Sequence, residues 1–200
     1  QAALPYLALS TDKSEDLMLV VMSATLDGEK LATQIQAPRL SSQGKSYPVD
    51  ISHFPVRKDE MLNNQCKRAI EQALQQHPGD VLVFLPGRRE IQALQKLLEP
   101  LANTCLQVLP LHGDLPIEQQ SQVLHATPEG IRRIVLASNV AESSVTLPSV
   151  RVVIDSGLAR EPRFDPNSGF SRLDLVTISQ ASADQRAGRA GRHPAGCSRG

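Results

Sequence analysis

Short, mostly apolar runs alternate along this chain with segments of helical period, and that alternation restricts the fold more than any other feature. VLVFLP (81–86), CLQVLPL (105–111), RRIVLAS (132–138) and VRVVID (150–155) follow one another, with LMLVVM (17–22) before them and LVTIS (175–179) after. A strand that shows one face to water alternates polar and apolar residues; a run that is apolar nearly throughout belongs to a strand covered on both faces. Between the runs, Leu62, Cys66, Ala69, Ile70, Ala73 and Leu74 recur at helical spacing over 58–77. Ile91, Leu94, Leu97, Leu98 and Leu101 do the same over 88–101, and Pro116 opens a further helix to about His125. The expectation is an α/β fold, a doubly wound parallel sheet with helices on both faces. Sheets of this kind bind ligands beyond the carboxyl ends of their strands. At those ends stand Ser23-Ala24-Thr25, Pro86-Gly87, His112-Gly113-Asp114, Ser138-Asn139 and Ser156-Gly157.

The stretch 38–57 is poor in helix formers and rich in proline and serine, so it reads as the end of one sheet followed by a linker. A boundary near residue 57 would make 1–57 the end of a first lobe and 58–200 a nearly complete second one. No apolar run approaches the ~20 residues that cross a membrane. The chain starts without methionine and without a basic leader, so it is expected to begin inside a larger protein. Three scattered cysteines form no metal-ligand spacing and point to reduced thiols in a cytosolic setting. With 21 Lys and Arg against 21 Asp and Glu, the overall field does not attract a polyanion, and nucleic-acid contacts would have to come from local placement. Four Phe, two Tyr and no Trp argue against an aromatic base-stacking platform.

Three constellations carry chemistry. In LVFLPGRREI (82–91) a strand runs through Pro-Gly into a helix start, where free backbone N–H groups and the helix dipole suit a phosphate. The alternative is an ordinary βα turn with solvated arginines. SNVAESSVT (138–146) places Ser138, Asn139, Glu142, Ser143, Ser144 and Thr146 just past a buried strand, with no Gly or Pro until Pro148, so a defined turn is expected. QRAGRAGR (185–192) sets Arg186, Arg189 and Arg192 three residues apart with Gly188 and Gly191 between them. Side chains at i and i+3 are neighbours on a helix, yet each glycine costs a helix roughly 1 kcal/mol relative to alanine. A solvated basic helix would use Lys and Glu and avoid Gly. Glycine here implies close backbone approach, and arginine supplies planar, multi-donor cations for phosphate oxygens.

Taken together these stretches resemble the superfamily 2 helicases, and within them the DEAH-box/RHA group, over about nine-tenths of the chain. QRAGRAGR is similar to motif VI, LASNVAESSVT to motif V, Ser-Ala-Thr to motif III and LVFLPGRREI to motif IV, in the group's order and spacing. SYPVDI, DSGLAREPRFDPNSGFSRL and ISQASADQRAGRAGR are most similar to a bacterial branch of that group. The resemblance implies two RecA-like lobes that close on ATP and Mg²⁺ while single-stranded RNA lies across both, with DNA as an alternative strand. It implies catalytic roles for Gln185, at the γ-phosphate or attacking water, and for Arg189 and Arg192 as arginine fingers, which can supply ~10³–10⁵ in rate. Thr146, Arg186 and Gly188 would lie at the nucleotide. Gly87, Arg88, Ser138 and Asn139 would touch RNA, and Ser23, Ala24 and Thr25 would couple hydrolysis to lobe closure. Leu124 stands where some relatives carry a base-stacking aromatic. No metal ligand is expected in this chain, no membrane partner, and no particular oligomeric state; the bacterial cytoplasm is the implied compartment.

The sequence contains neither a GxxxxGK[ST] phosphate loop nor a DEAH-type acidic tetrad. Both are expected N-terminal to residue 1, which makes this chain the motif III-to-VI piece of an ATP-dependent RNA helicase and inactive alone. The alternative is a RecA-like module that binds RNA or a partner without catalysis.

Overall fold

The structure, a computed structural model, describes residues 28–38, 47–125, 130–143, 147, 149–165 and 169–192. The chain divides into two compact units, Gln1–Gln43 and Gly44–Gly200. In the first, the described residues form one helix, α1 (Gly28–Ile35). The strand expected at 17–22 and the Ser23, Ala24 and Thr25 cluster lie outside the described residues.

The second unit is built on four parallel strands, β1 (Asp80–Phe84), β2 (Leu106–Leu111), β3 (Arg132–Ala137) and β4 (Val150–Asp155), in the order β2-β3-β1-β4. Its helices are α2 (Leu62–Gln76), α3 (Arg88–Leu98), α4 (Ile117–Leu124), the single turn α5 (Val140–Ser143) and α6 (Gln180–Ala187). The apolar runs place the sheet as expected, because β1 and β3 are buried on both faces. Val81, Val83, Ile134 and Leu136 face a layer made by Cys66, Ile70 and Ala73 of α2 and Ile91, Leu94 and Leu98 of α3. The intervening Leu82, Phe84, Val135 and Ala137 face Leu111, Val123 of α4, Ala141 of α5, Leu147 and Val150. The period of two along each strand thus divides one apolar run between two cores. Among the described residues no helix is long and apolar enough to cross a membrane.

Polar anchors close the amino-terminal edge of the sheet. Asp80 at the start of β1 accepts hydrogen bonds from the Arg133 backbone N–H at 2.8 Å and from Arg133 Nε at 2.9 Å. Arg133 Nη1 donates to the carbonyls of Val123 and His125 and so holds the end of α4. Next to it Arg132 donates to the carbonyls of Leu74, His77 and Gly79, satisfying the C-terminal end of α2. Burial lowers the pKa of that guanidinium. Gly79, at φ +81°, makes the turn into β1 with Arg151 packed where a Cβ would stand.

One expectation is corrected. LVTIS (175–179) is not a further strand of the parallel sheet. Its first residues end β6 (Phe170–Thr177), which pairs antiparallel with β5 (Leu158–Asp165) in a separate two-stranded hairpin. Leu173 and Leu175 alternate with Asp174 and Val176, but the leucines are the exposed set. Apolar character there reports an exposed face rather than a core. The segment 47–57 also belongs to the second unit: the Tyr47 N–H donates to the Gly191 carbonyl at 2.9 Å. Arg68 of α2 meanwhile stacks on the Phe54 ring and bonds Glu60 and the Pro55 carbonyl.

Candidate functional site

The carboxyl ends of the strands open onto a groove of about 840 Å³. β1 delivers Pro86 and Gly87 and then the first residues of α3, Arg88, Arg89 and Gln92. β2 delivers His112, Gly113 and Asp114; β3 delivers Ser138, Asn139 and Val140; the hairpin adds Arg160, Pro162 and Leu173 as a side wall. Gly87, Arg88, Ser138 and Asn139, which the sequence singles out from two segments about fifty residues apart, therefore line one surface.

Local structure explains their placement. Gly87 is the N-cap of α3 and offers no side-chain cap, so the helix's first N–H groups face the groove end of β1. Ser138 continues β3 with its N–H bonded to the Leu111 carbonyl at 3.1 Å, and its carbonyl accepts from Ala141 N at 3.2 Å. Asn139 accepts from Glu142 N at 2.9 Å, so the segment folds at once into α5, the defined turn expected from its lack of Gly and Pro. His112 lies on the groove wall, 8% exposed, and its Nδ1 is a buried polar atom without a hydrogen-bond partner. Arg88 Nη1 reaches Asp114 Oδ2 at 3.7 Å. The sequence sets His112 and Asp114 at a strand end and Arg89 at a helix start without giving any of them a role, and it does not single out Gln92 or Arg160. Their only sequence signal is position, immediately past strands or paired to them. Leu124 packs against the second core layer and does not line the groove. Thr146 and Pro148 lie outside the described residues.

The arginine segment sits on the other side of α5. α6 is capped at its start by Ser179, whose Oγ accepts from Ser182 N at 3.2 Å, and at its end by Gly188; a 3-10 turn, Ala190–Arg192, follows. Arg186 is 1% exposed. Its Nε donates to Glu142 Oε2 at 3.0 Å, its Nη1 to Asp155 Oδ1 at 2.9 Å, and its guanidinium lies 4.8 Å over the Phe84 ring. Arg189, 6% exposed, donates from Nη2 to the Glu142 carbonyl. Gln185 is half-buried and Gly188 exposed. Of Arg192 the backbone alone is described.

The two glycines differ. A Cβ at Gly191 would stand 2.6 Å from the Tyr47 carbonyl oxygen and 2.9 Å from Val49 Cγ2, whereas one at Gly188 would meet the carbonyl of Asp184 at 3.3 Å. The close approach implied by glycine is thus real at 191 and is to the chain's own backbone. α5 joins the two halves of the site: Val140 faces the groove and Glu142 holds Arg186 and Arg189.

A parallel RecA-like sheet with a basic groove at its carboxyl edge and an arginine segment beside it defines the class of a helicase lobe. The model of the helicase conserved C-terminal domain matches residues 62–194. The chain belongs to that family. It is 40% identical over 185 residues to the ATP-dependent RNA helicase HrpB of Escherichia coli, covering 92% of this chain and 23% of that protein. It is 37% identical over 187 residues to the pre-mRNA-splicing factor ATP-dependent RNA helicase prp22 of Schizosaccharomyces pombe, covering 90% and 16%. The crystal structure of the Escherichia coli DEAH/RHA helicase HrpB superposes with a TM-score of 0.84 at 38% identity, over 94% of this chain and 24% of that one. The chain therefore spans about a quarter or less of the length of these relatives.

Proposed function

We propose that this chain is the lobe of an ATP-dependent RNA helicase that closes over a nucleotide held by a partner lobe and grips one RNA strand. The observation that supports this most is the convergence of Gly87, Arg88, Ser138 and Asn139 on one groove, joined through α5 to the arginine segment. A polyanion needs cations and free N–H groups along a track, and the groove supplies Arg88, Arg89 and the α3 N-terminus. Single-stranded RNA is the proposed strand, with single-stranded DNA as the competing one, since phosphate contacts do not read the sugar.

In this reading Arg189 and Arg192 neutralise charge on the transferring phosphoryl group and Gln185 orients the attacking water, with Gly188 and Thr146 at the nucleotide. Arg186 serves by holding Glu142 and Asp155, and so the α5 turn, in register with the fingers. Ser23, Ala24 and Thr25 transmit closure. Among the described residues no group of three or more His, Cys, Asp or Glu could hold a metal ion. In this reading Mg²⁺ and the phosphate loop belong to the partner lobe, and this chain by itself is expected to show no RNA-stimulated ATP hydrolysis. The bacterial cytoplasm suits the reading, as reduced thiols such as Cys66 are the rule there.

The test uses the longer protein that contains this lobe. Arg189→Ala or Arg192→Ala should lower kcat by about 10³ or more while nucleotide affinity changes little. Turnover near the wild-type rate in either variant would overturn the finger assignment. An absence of ATP turnover in the unmodified longer protein, with RNA binding retained, would favour the non-catalytic binding module instead.

A further inference from the structure

We infer that Glu90 is a positioning residue for the groove: through Arg160 it ties the β5–β6 hairpin to the first turn of α3 and thereby sets where the groove's side wall stands. The hairpin strands pair only with each other among the described residues; beyond its root, where the Leu158 carbonyl accepts from Arg186 Nη1 at 3.4 Å and Ala159 is buried, a two-stranded ribbon holds no fixed attitude of its own. Arg160 Nη2 donates to Glu90 Oε1 at 2.8 Å, both side chains being part-buried. Arg160 shares a hairpin face with Pro162 and, across the ladder, with Leu173, the other two residues of the wall.

Gly87 eases the reach. A Cβ there would stand 3.1 Å from Arg160 Cδ, 3.2 Å from its Nε and 3.4 Å from Glu90 Oε2. The Gly87 backbone is extended, at φ −174°, a conformation any residue adopts. A larger residue here would press on the arginine side chain by a few tenths of an ångström, so glycine leaves Arg160 an unhindered path across the N-cap of α3. Glu90 Oε2 is buried and makes no hydrogen bond. A carboxylate buried with one oxygen unsatisfied is costly, and its compensation is Arg160. Removing either partner leaves the other worse off than removing both.

The consequence for strand binding rests on the reading of the groove given above; the attachment of the hairpin does not. The experiment is hydrogen exchange on the 200-residue chain for Glu90→Gln, Arg160→Gln, the double variant and Arg160→Lys. Glu90→Gln should speed exchange of the 158–165 and 170–177 amides about five- to tenfold, the exchange equivalent of a part-buried charge pair. The β1 and β3 amides should be unaffected. The double variant should be no worse than either single one, and Arg160→Lys should retain most of the protection. In parallel, Glu90→Gln should weaken binding of a short fluorescein-labelled oligouridylate several-fold. Unchanged hairpin exchange, additive single effects, or tighter oligouridylate binding (Arg160 acting merely as a phosphate ligand released by Glu90) would each overturn the inference. If the wild-type chain does not bind oligouridylate, the nucleic-acid reading fails, and the exchange measurements alone decide the role of Glu90.

Discussion

Gly191 lies against the backbone of Tyr47: the Tyr47 N–H donates to the Gly191 carbonyl at 2.9 Å, and a Cβ on Gly191 would fall 2.6 Å from the Tyr47 carbonyl oxygen. The end of the arginine segment is thus clamped to residues 47–49, far from it in sequence. Gly191→Ala must push two backbone segments apart, a strain of about 1–3 kcal/mol. Gly188 has helical φ and ψ and an exposed position, so Gly188→Ala should change stability by less than about 1 kcal/mol. Urea unfolding of the two variants checks the contrast, and equal losses would contradict it.

Arg186 is the most buried cation of the site and holds two carboxylates at once. Removing one partner from such a cluster leaves uncompensated charge, which costs more than the cluster itself contributes. Glu142 and Asp155 keep some solvent contact, so Arg186→Ala should fall at the low end of the usual range, about 3 kcal/mol. Arg186→Lys keeps a charge but cannot span both carboxylates, and about half that loss is expected. A shift in the urea midpoint corresponding to under about 1 kcal/mol for Arg186→Ala would mean that the cluster does not form.

Burial, with the charge of Asp155 adding to it, pushes the Cys66 thiol from its ordinary value of 9.0 up to about 11. Between these values the folded chain keeps the proton that the unfolded chain releases. Stability should therefore fall as pH rises through that window, by about 1.4 kcal/mol per unit, with no effect below it. The comparison is with Cys66→Ala, which should lose this component of the pH slope. Iodoacetamide mapped by peptide should label exposed Cys105 and spare Cys66 until the chain is unfolded. Rapid native labelling of Cys66 would refute the assignment.

Much of this architecture is legible in the residues, and the limits have physical causes. β1 and β3 announce themselves because burial on both faces demands an apolar run, and the groove follows from where those runs end. β5 does not, since LAREPRFD carries four charges and Pro162, which a two-stranded ribbon tolerates and a central strand would not. The spacing of Arg186, Arg189 and Arg192 suggests one side of a helix, but the helix ends at Ala187, so of the three arginines it carries Arg186 alone. The spacing also does not reveal that Arg186 turns inward, because its partners come from Glu142 and Asp155, each at least thirty residues away. A carboxylate closing an apolar strand, as Asp155 does in VRVVID, was the available sign of a buried cation.

Arg88 and Asp114 test the groove as a phosphate track. Their contact is long, at 3.7 Å, and both side chains are mostly exposed, 57% and 68%. Such a pair contributes little to folding, so substitutions there leave the fold intact and report on binding alone. Asp114 places a negative charge beside the cation that a phosphate would seek. Asp114→Asn should raise affinity for oligouridylate about two- to fivefold at low salt, and the gain should shrink as salt screens it. Arg88→Ala should weaken binding and reduce the slope of log affinity against log salt by about 0.7, the loss of one neutralised phosphate on a single strand. Anisotropy titrations over a salt series separate the alternatives. If Arg88 were held by Asp114 and took no phosphate, Arg88→Ala would leave the slope unchanged and Asp114→Asn would leave affinity unchanged.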